Sequence, residues 1–299
     1  MSDRGEQGWE DFWTHQTAGC LPQGKGSLGA IQQASWAHFA KTLPPAARVL
    51  DLATGDGRVM GWMFSARSDL ALEGIDLAPR LPPPPDGTLS RGGIAMERLP
   101  YGDGTFDAVV SQFGFEYGDP ARVPHEIARV LRPGAVAALM LHRLDGPIVA
   151  HNRGRRSEIR WATERHDVVG AARAALDLTP PATGRLPSSL AYALRESAQR
   201  FGSASPAWEI TEAARRILAR SGTAPKAELA AALDRLAQSA RGEIARIEAL
   251  ETAAKTVADS AALEAALADA GLTAVDTLLP REAENFPPFA ELRILRRAS

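Results

Sequence analysis

The sequence predicts an α/β fold in which a mostly parallel β-sheet carries helices on its faces. From residue 46 onward, short apolar runs alternate with segments of helical periodicity, and two of the runs end in an acidic residue. The apolar runs, interpreted as strands, are 48–51, 70–76, 106–111, 135–141, 273–279 and 289–295. The helical segment 57–66 lies between the first and second of them, and the helical segment 120–131 lies between the third and fourth. Strands that alternate with helices are typical of a parallel sheet with helices packed against it.

Composition and charge indicate an ordinary globular protein. The 299 residues are 45% hydrophobic and 23% charged, with a formal net charge of −2, so no general positive field is present to bind nucleic acid or an anionic membrane. A single cysteine, Cys20, excludes an intrachain disulfide and a thiolate-rich zinc site, and we expect no metal. The polar first residues and the short apolar runs predict a cytoplasmic protein without a membrane span.

The pattern divides the chain into four segments. Segment 1–45 is predicted to be an N-terminal helical lid with the aromatic residues Trp9, Phe12 and Trp13 on one face. Segment 46–143 is the α/β core, and segment 258–299 supplies the final helix and strands of the sheet. Segment 144–257 is rich in alanine and is interpreted as a helical insertion that serves as a substrate cap or a dimer seam.

One long helix of this insertion carries an apolar stripe at a spacing of three or four residues. Its members are Leu229, Leu233, Leu236, Ala240, Ile244, Ile247 and Leu250. Such a stripe favours burial in a core, and the alternative is the seam of a homodimer.

The segment with most chemical information is 49–58, where a buried strand leads into a turn of small residues before a helix. Small side chains let a ligand approach the backbone, and the start of a helix exposes unpaired N–H groups. Asp51 can attract an ammonium group. Asp76, which ends the next strand, can accept the hydroxyls of a ribose. Ligands of open α/β sheets bind at the carboxyl ends of the strands, so we expect the two acids to face one cleft.

These residues resemble the first motif and the second-strand acid of the class I S-adenosylmethionine-dependent methyltransferases. The resemblance continues through 96–113, similar to the adenine-side loop and fourth strand of the family, and through 126–134, similar to the turn before its fifth strand. The subgroup it resembles most acts on small molecules and includes ubiquinone and menaquinone biosynthesis enzymes. The resemblance implies a Rossmann-like, doubly wound sheet of seven strands with the last strand antiparallel. It also implies methyl transfer from S-adenosylmethionine to an O, N or C nucleophile.

The resemblance implies a role for each matching residue. The backbone of Ala53, Thr54 and Gly55 would line the methionine part of the cofactor, Asp76 the ribose, and Leu77 the adenine. Met96 would offer its N–H to the adenine ring, and Gln112 and Phe113 would meet the methionine amino end. The cofactor-binding residues implied are Asp51, Ala53, Thr54, Gly55, Gly57, Asp76, Leu77, Met96, Glu97, Gln112 and Phe113.

The sequence departs from the family pattern at three places. Ala53 stands where the first motif glycine usually lies. Ala95 occupies the position of an adenine-contacting aspartate, so that contact would be absent or come from Glu97. The proline run 82–85 replaces the usual helix between the second and third strands.

Methyl transfer needs a base only when the nucleophile must lose a proton. The candidates are His142, which follows the predicted strand 135–141, and Glu116, which follows the predicted strand 106–111, with His15 on the predicted lid. A structural role for His142 is the alternative. The arginines between 143 and 160 are interpreted either as an anion clamp for the substrate or as a solvated surface.

Other functions stay open at the level of sequence. The acceptor could be a protein side chain or carboxylate, or the chain could be a non-catalytic cofactor-binding or helical interaction protein. The glycines of segment 55–61 are spaced GxGxxxG, which differs from the GxGxxG of dehydrogenases. The sequence after the predicted strand 106–111 lacks the motif of amino-methylating DNA enzymes, so we predict a small-molecule substrate and no nucleic acid.

Overall fold

The computed structural model describes residues 27–178 and 186–299. The described residues fall into two compact units, one within 1–150 and 249–299 and the other within 151–248. The second unit lies inside the predicted insertion 144–257. The aromatic residues Trp9, Phe12 and Trp13, together with His15 and Cys20, lie outside the described residues.

The helices and strands are numbered in chain order. The helices are α1 (Ser27–Thr42), α2 (Arg58–Ala66), α3 (Val123–Val130), α4 (Pro147–Arg160), α5 (Val168–Asp177), α6 (Ser188–Phe201), α7 (Pro206–Ala219), α8 (Lys226–Ala258) and α9 (Ser260–Asp269). The strands are β1 (Arg48–Leu52), β2 (Ala71–Ile75), β3 (Leu89–Arg91), β4 (Phe106–Gln112), β5 (Leu131–His142), β6 (Leu272–Leu278) and β7 (Ala290–Arg297). A 3₁₀ turn spans Phe115–Tyr117, and a π-helical turn spans Trp161–Arg165.

The first unit is built on a seven-stranded sheet of order β3-β2-β1-β4-β5-β7-β6. The pairs from β3 to β5 are parallel, whereas β7 is antiparallel to both of its neighbours. The predicted fold class is therefore confirmed. The order reverses between β1 and β4, and such a switch point leaves a crevice at the carboxyl ends of the two strands.

Both faces of the central strands β1 and β4 are buried, which explains why these strands are mostly apolar. Val49 of β1 packs in one core together with Trp36 of α1 and Met60 of α2. The adjacent Leu50 packs in the opposite core together with Ile127 of α3. The described part of the predicted lid, α1, thus contributes a fully buried tryptophan to the first core.

The connection between β2 and β3 contains no helix among residues 76–88, as the proline run predicts. Pro85 instead packs against the start of α2, where a Cβ on Gly57 would lie 2.7 Å from its Cδ. The proline segment thus fills part of the space over α2 that a helix would otherwise cover.

The second unit has its own apolar core, formed by residues of α4 to α8 and the π-helical turn. Leu229, Leu233 and Ile247 of the stripe are almost completely buried there, and Leu236 and Ile244 pack against it. Leu250 belongs to the core of the first unit. The buried members of the stripe therefore pack as core within the described residues, and a homodimer through the insertion stays a prediction.

Among the described residues, no helix combines the length and the apolar character needed to cross a membrane.

Candidate functional site

The turn between β1 and α2 is shaped by left-handed backbone. Ala53, Gly55 and Gly57 have φ angles of 55°, 55° and 72°. Glycine adopts this conformation freely, whereas for an L-residue such as Ala53 it costs roughly 1–2 kcal/mol. The reversals bring the backbone at the end of β1 and the start of α2 to the carboxyl edge of the sheet.

Asp51 lies next to the last residue of β1, with its carboxyl group away from water. It is 2% exposed, and its Oδ2 accepts a hydrogen bond of 2.7 Å from Oγ1 of Thr54. Burial raises the pKa of Asp51 to about 7, against the hydrogen bond from Thr54, and the negative Asp76 and Asp56 add to the rise. A buried carboxyl group of this kind is suited to a ligand that brings a positive charge.

Asp76 follows β2 and closes the same turn. Its Oδ2 accepts a hydrogen bond of 3.0 Å from the backbone N–H of Gly55, and its Oδ1 accepts one of 2.9 Å from that of Ala78. Burial raises the pKa of Asp76, while these backbone donors oppose the rise. The structure thus brings Asp51 and Asp76 to one edge of the sheet, as the sequence predicts.

The end of β4 approaches the end of β1 closely. A Cβ on Gly114 would lie 2.4 Å from the Cβ of Ala53, so a larger residue at this position cannot fit without a shift. Phe113 is also left-handed, with a φ of 56°, and its backbone N–H donates to the carbonyl of Met140 over 2.8 Å. The β4 loop is therefore held between β1 and β5.

His142 and Glu116 form a buried pair at the same edge. Oε1 of Glu116 lies 2.8 Å from Nδ1 of His142 and accepts a second hydrogen bond of 2.9 Å from the backbone N–H of that residue. The two residues are 6% and 2% exposed. Because the carboxylate is an acceptor, Nδ1 carries the proton in the neutral ring and Nε2 presents a lone pair. The ring of Phe113 stacks on the imidazole at 4.2 Å between centroids.

The sequence predicts the two candidate bases separately, and their pairing is a finding of the structure. They are 26 residues apart, with no motif that links them. Only the parallel pairing of β4 with β5 places the turn after one strand beside the end of the other.

Some of the residues implied at the adenine side of the cofactor, or the segments next to them, form hydrogen bonds within the protein. Oε1 of Glu97 accepts a hydrogen bond of 3.0 Å from the backbone N–H of Asp119. The segment before Met96 is tied to Asp76, whose carbonyl accepts from the N–H of Ile94 over 2.9 Å. Leu77 is 37% exposed, which leaves its side chain accessible for a contact with a ring.

Several of the clustered arginines are paired with acids. Arg143 bonds Asp145 at 2.8 Å, and Arg160 bonds Glu248 at 2.7 Å. Arg155 lies 3.5 Å from Glu243. These pairs favour the solvated-surface interpretation of the segment over an anion clamp.

Helix α1 contributes two residues to which the sequence motifs assign no role. The indole N–H of Trp36 donates to Oε1 of Gln112 over 2.7 Å. Gln32, one turn earlier, is fully buried, and neither polar atom of its amide has a hydrogen-bond partner among the described residues. The i, i+4 spacing of the two residues is the signal that places them on one face of the helix.

Comparison with known proteins agrees with this arrangement. A family model described as a methyltransferase domain matches residues 50–139. An uncharacterized methyltransferase of Mycobacterium tuberculosis is 29% identical over 137 residues, 43% of this chain and 49% of the relative. An uncharacterized methyltransferase of Synechocystis is 33% identical over 110 residues, 34% of this chain and 50% of the relative.

A demethylmenaquinone methyltransferase of Beutenbergia cavernae is 36% identical over 99 residues, 30% of this chain and 38% of the relative. The chain thus spans about half or less of the length of these three relatives. The matched segment contains Asp51, Asp76 and the turn between β1 and α2 that joins them. The turn and both acids therefore lie in the part of the chain that matches a methyltransferase domain.

Proposed function

We propose that the protein is an enzyme that transfers a methyl group from S-adenosylmethionine to an O, N or C nucleophile of a small molecule. The observation that carries the proposal is the β1–α2 turn, in which the buried Asp51 and the ribose-side Asp76 are joined by backbone and Thr54 hydrogen bonds. When bound, the cofactor supplies a methyl group already activated on a sulfonium.

The residues present fit such a cofactor. The buried carboxyl group of Asp51, whose described partner is the Thr54 hydroxyl, suits the ammonium of the methionine tail. The open backbone around Gly55 admits a close ligand, and Asp76 lies next to it. Asp51 and Asp76 would thus bind the two polar ends of one molecule.

Positioning supplies much of the rate in a displacement at an activated methyl group. In this chain, the pair Glu116–His142 adds a means to remove a proton. Glu116 holds the imidazole by two hydrogen bonds through Oε1, and stacking on Phe113 limits its rotation. His142 would accept the proton of the nucleophile at Nε2, and the carboxylate of Glu116 would stabilise the resulting imidazolium.

Calorimetric titration with S-adenosylmethionine and S-adenosylhomocysteine tests the cofactor assignment. We expect both to bind, and Asp76→Ala to weaken both by about tenfold or more, because hydrogen bonds to a charged group are lost. Asp86→Ala is the matched control, since Asp86 is exposed on the proline segment and should leave affinity unchanged. If the wild-type protein binds neither compound, the proposed function is wrong.

A screen of small metabolites with the loaded protein would identify the acceptor. His142→Ala should then slow methylation of an acceptor that must lose a proton, with cofactor affinity unchanged. Unchanged turnover would assign His142 to a structural role.

A further inference from the structure

Gln32 is the most unusual polar residue in the first core. Its side chain is fully buried, and both its Nε2 and its Oε1 lack a hydrogen-bond partner among the residues that the structure describes. Buried amides in folded proteins are nearly always paired, because an unmade hydrogen bond costs free energy. An unpaired buried amide is therefore a position at which a bound molecule can supply the missing hydrogen-bond partner.

The direction of α1 shows where this amide lies. The helix ends at Thr42, just before β1 starts at Arg48, so its last turn is at the amino edge of the sheet. Six residues earlier, Trp36 reaches Gln112 at the carboxyl end of β4. Helix α1 therefore runs opposite to β1, with its first turns toward the carboxyl edge.

Gln32 is on the same face of α1 as Trp36 and one turn closer to that edge. Four residues of α-helix advance ~6 Å, and side chains at i and i+4 lie above one another. Since Trp36 donates to Gln112, Gln32 lies one helical turn nearer the carboxyl edge of the sheet, the edge at which Asp51 and Asp76 also lie.

The methionine tail of the cofactor carries a carboxylate as well as an ammonium group, and this carboxylate needs a hydrogen-bond donor. Asp51 suits the ammonium of the methionine tail, but it would repel the carboxylate on the same carbon atom. Arg143, the arginine that follows β5, is bonded to Asp145 and lies 3.9 Å from Glu291, while its buried Nε has no hydrogen-bond partner among the described residues. A neutral amide donor such as Gln32 can bind the carboxylate without a competing ion pair to Asp51.

We propose that Gln32 is a positioning residue that donates a hydrogen bond from Nε2 to the carboxylate of the methionine tail. This inference rests on the proposed function, and it assigns to α1 a contact that the matched domain 50–139 does not include. Gln32 and Asp51 would then hold the two charged groups of the tail from two elements of the first unit.

The test compares two cofactors that differ by one group. S-adenosylmethionine carries the carboxylate, and decarboxylated S-adenosylmethionine lacks it while keeping the ammonium and the sulfonium. Their affinities are measured by calorimetry for wild type, Gln32→Met and the control Gln33→Met. Methionine matches glutamine in shape without its hydrogen-bonding groups, and Gln33 is the exposed neighbour on α1.

We expect Gln32→Met to weaken S-adenosylmethionine about ten- to one-hundredfold, the value of a hydrogen bond to a charged group. The affinity for the decarboxylated compound should stay unchanged, and Gln33→Met should change neither. The melting temperature of Gln32→Met should equal or exceed that of wild type, because a buried unpaired amide is removed.

Equal loss for both compounds, or no loss for either, overturns the assignment of Gln32 to the carboxylate. Failure of the proposed function has a different result, since the wild-type protein would then bind neither compound. The two conclusions can therefore be separated within one set of titrations.

Discussion

A single carboxylate oxygen of Glu116 holds His142 in two ways, at 2.8 Å from its ring Nδ1 and at 2.9 Å from its backbone nitrogen. The backbone contact fixes the end of β5, and the ring contact fixes the orientation of the imidazole. Glu116 is thus a structural anchor as well as the partner of a candidate base.

We predict that Glu116→Ala lowers the free energy of unfolding by about 1–3 kcal/mol, because two buried N–H groups lose their acceptor. Glu116→Gln keeps an acceptor oxygen and should lose less. Chemical denaturation measures both, with the exposed Glu284→Ala as the control. Equal stability of wild type and Glu116→Ala would contradict the anchoring role.

The raised pKa of Asp51 predicts pH-dependent cofactor binding. An ammonium group needs the ionised carboxylate, so affinity for S-adenosylhomocysteine should rise as the pH increases through about 7, by up to ~10-fold per pH unit below that value. Calorimetry at several pH values on either side of neutrality measures this dependence. Asp51→Asn should weaken binding above neutrality and reduce the pH dependence; an unchanged slope in this variant would assign the titration to another group.

The same shift in the pKa of Asp51 has the opposite consequence for the stability of the free protein. Between the ordinary value of 3.8 and about 7, the folded state keeps a proton that the unfolded state has lost. The free energy of unfolding should therefore fall as the pH rises through this range. Asp51→Asn should be more stable than wild type above neutrality by thermal melting without ligand, and lower stability there would contradict the buried-charge explanation.

Gly114 and Ala53 should be energetically coupled. Gly114→Ala places a Cβ 2.4 Å from that of Ala53, and we expect a loss of about 1–3 kcal/mol from overpacking. In the Ala53→Gly background the loss should be smaller, because this clash is removed and residue 53 has positive φ. A double-mutant cycle by urea denaturation measures the coupling.

Gly154→Ala serves as the control for that cycle. Gly154 lies in α4, and the space that a Cβ would take there is open among the described residues, so alanine should be neutral or stabilising. Additive effects of the two substitutions at 53 and 114 would show that the close approach of β1 and β4 does not limit residue size.

The apolar stripe of α8 should act as core. Leu233→Ala should cost about 2–5 kcal/mol, because Leu233 is fully buried and the substitution leaves a cavity. Leu178→Ala, at a residue 59% exposed in the same unit, should change stability little. Sedimentation of both variants should equal that of wild type; a shift to a smaller species for Leu233→Ala without loss of stability would instead support the dimer seam.

The sequence by itself determined the α/β class, the position of six strands and the meeting of Asp51 with Asp76. These features depend on local patterns: apolar runs, small residues in a turn, and acids at strand ends that a parallel sheet must bring to one edge. Strand β3 could not be predicted in this way because its three residues, of which none is buried, carry no apolar run.

The tertiary structure alone decided which distant groups became partners. The contacts of Glu116 with His142, of Trp36 with Gln112 and of Gly114 with Ala53 join residues far apart in the chain, and no local pattern specifies them. Likewise, the periodicity of α8 showed that one face is apolar but not what covers it. That choice depends on which helices pack against the stripe, and the burial of Leu233 and Ile247 in the second unit answers it.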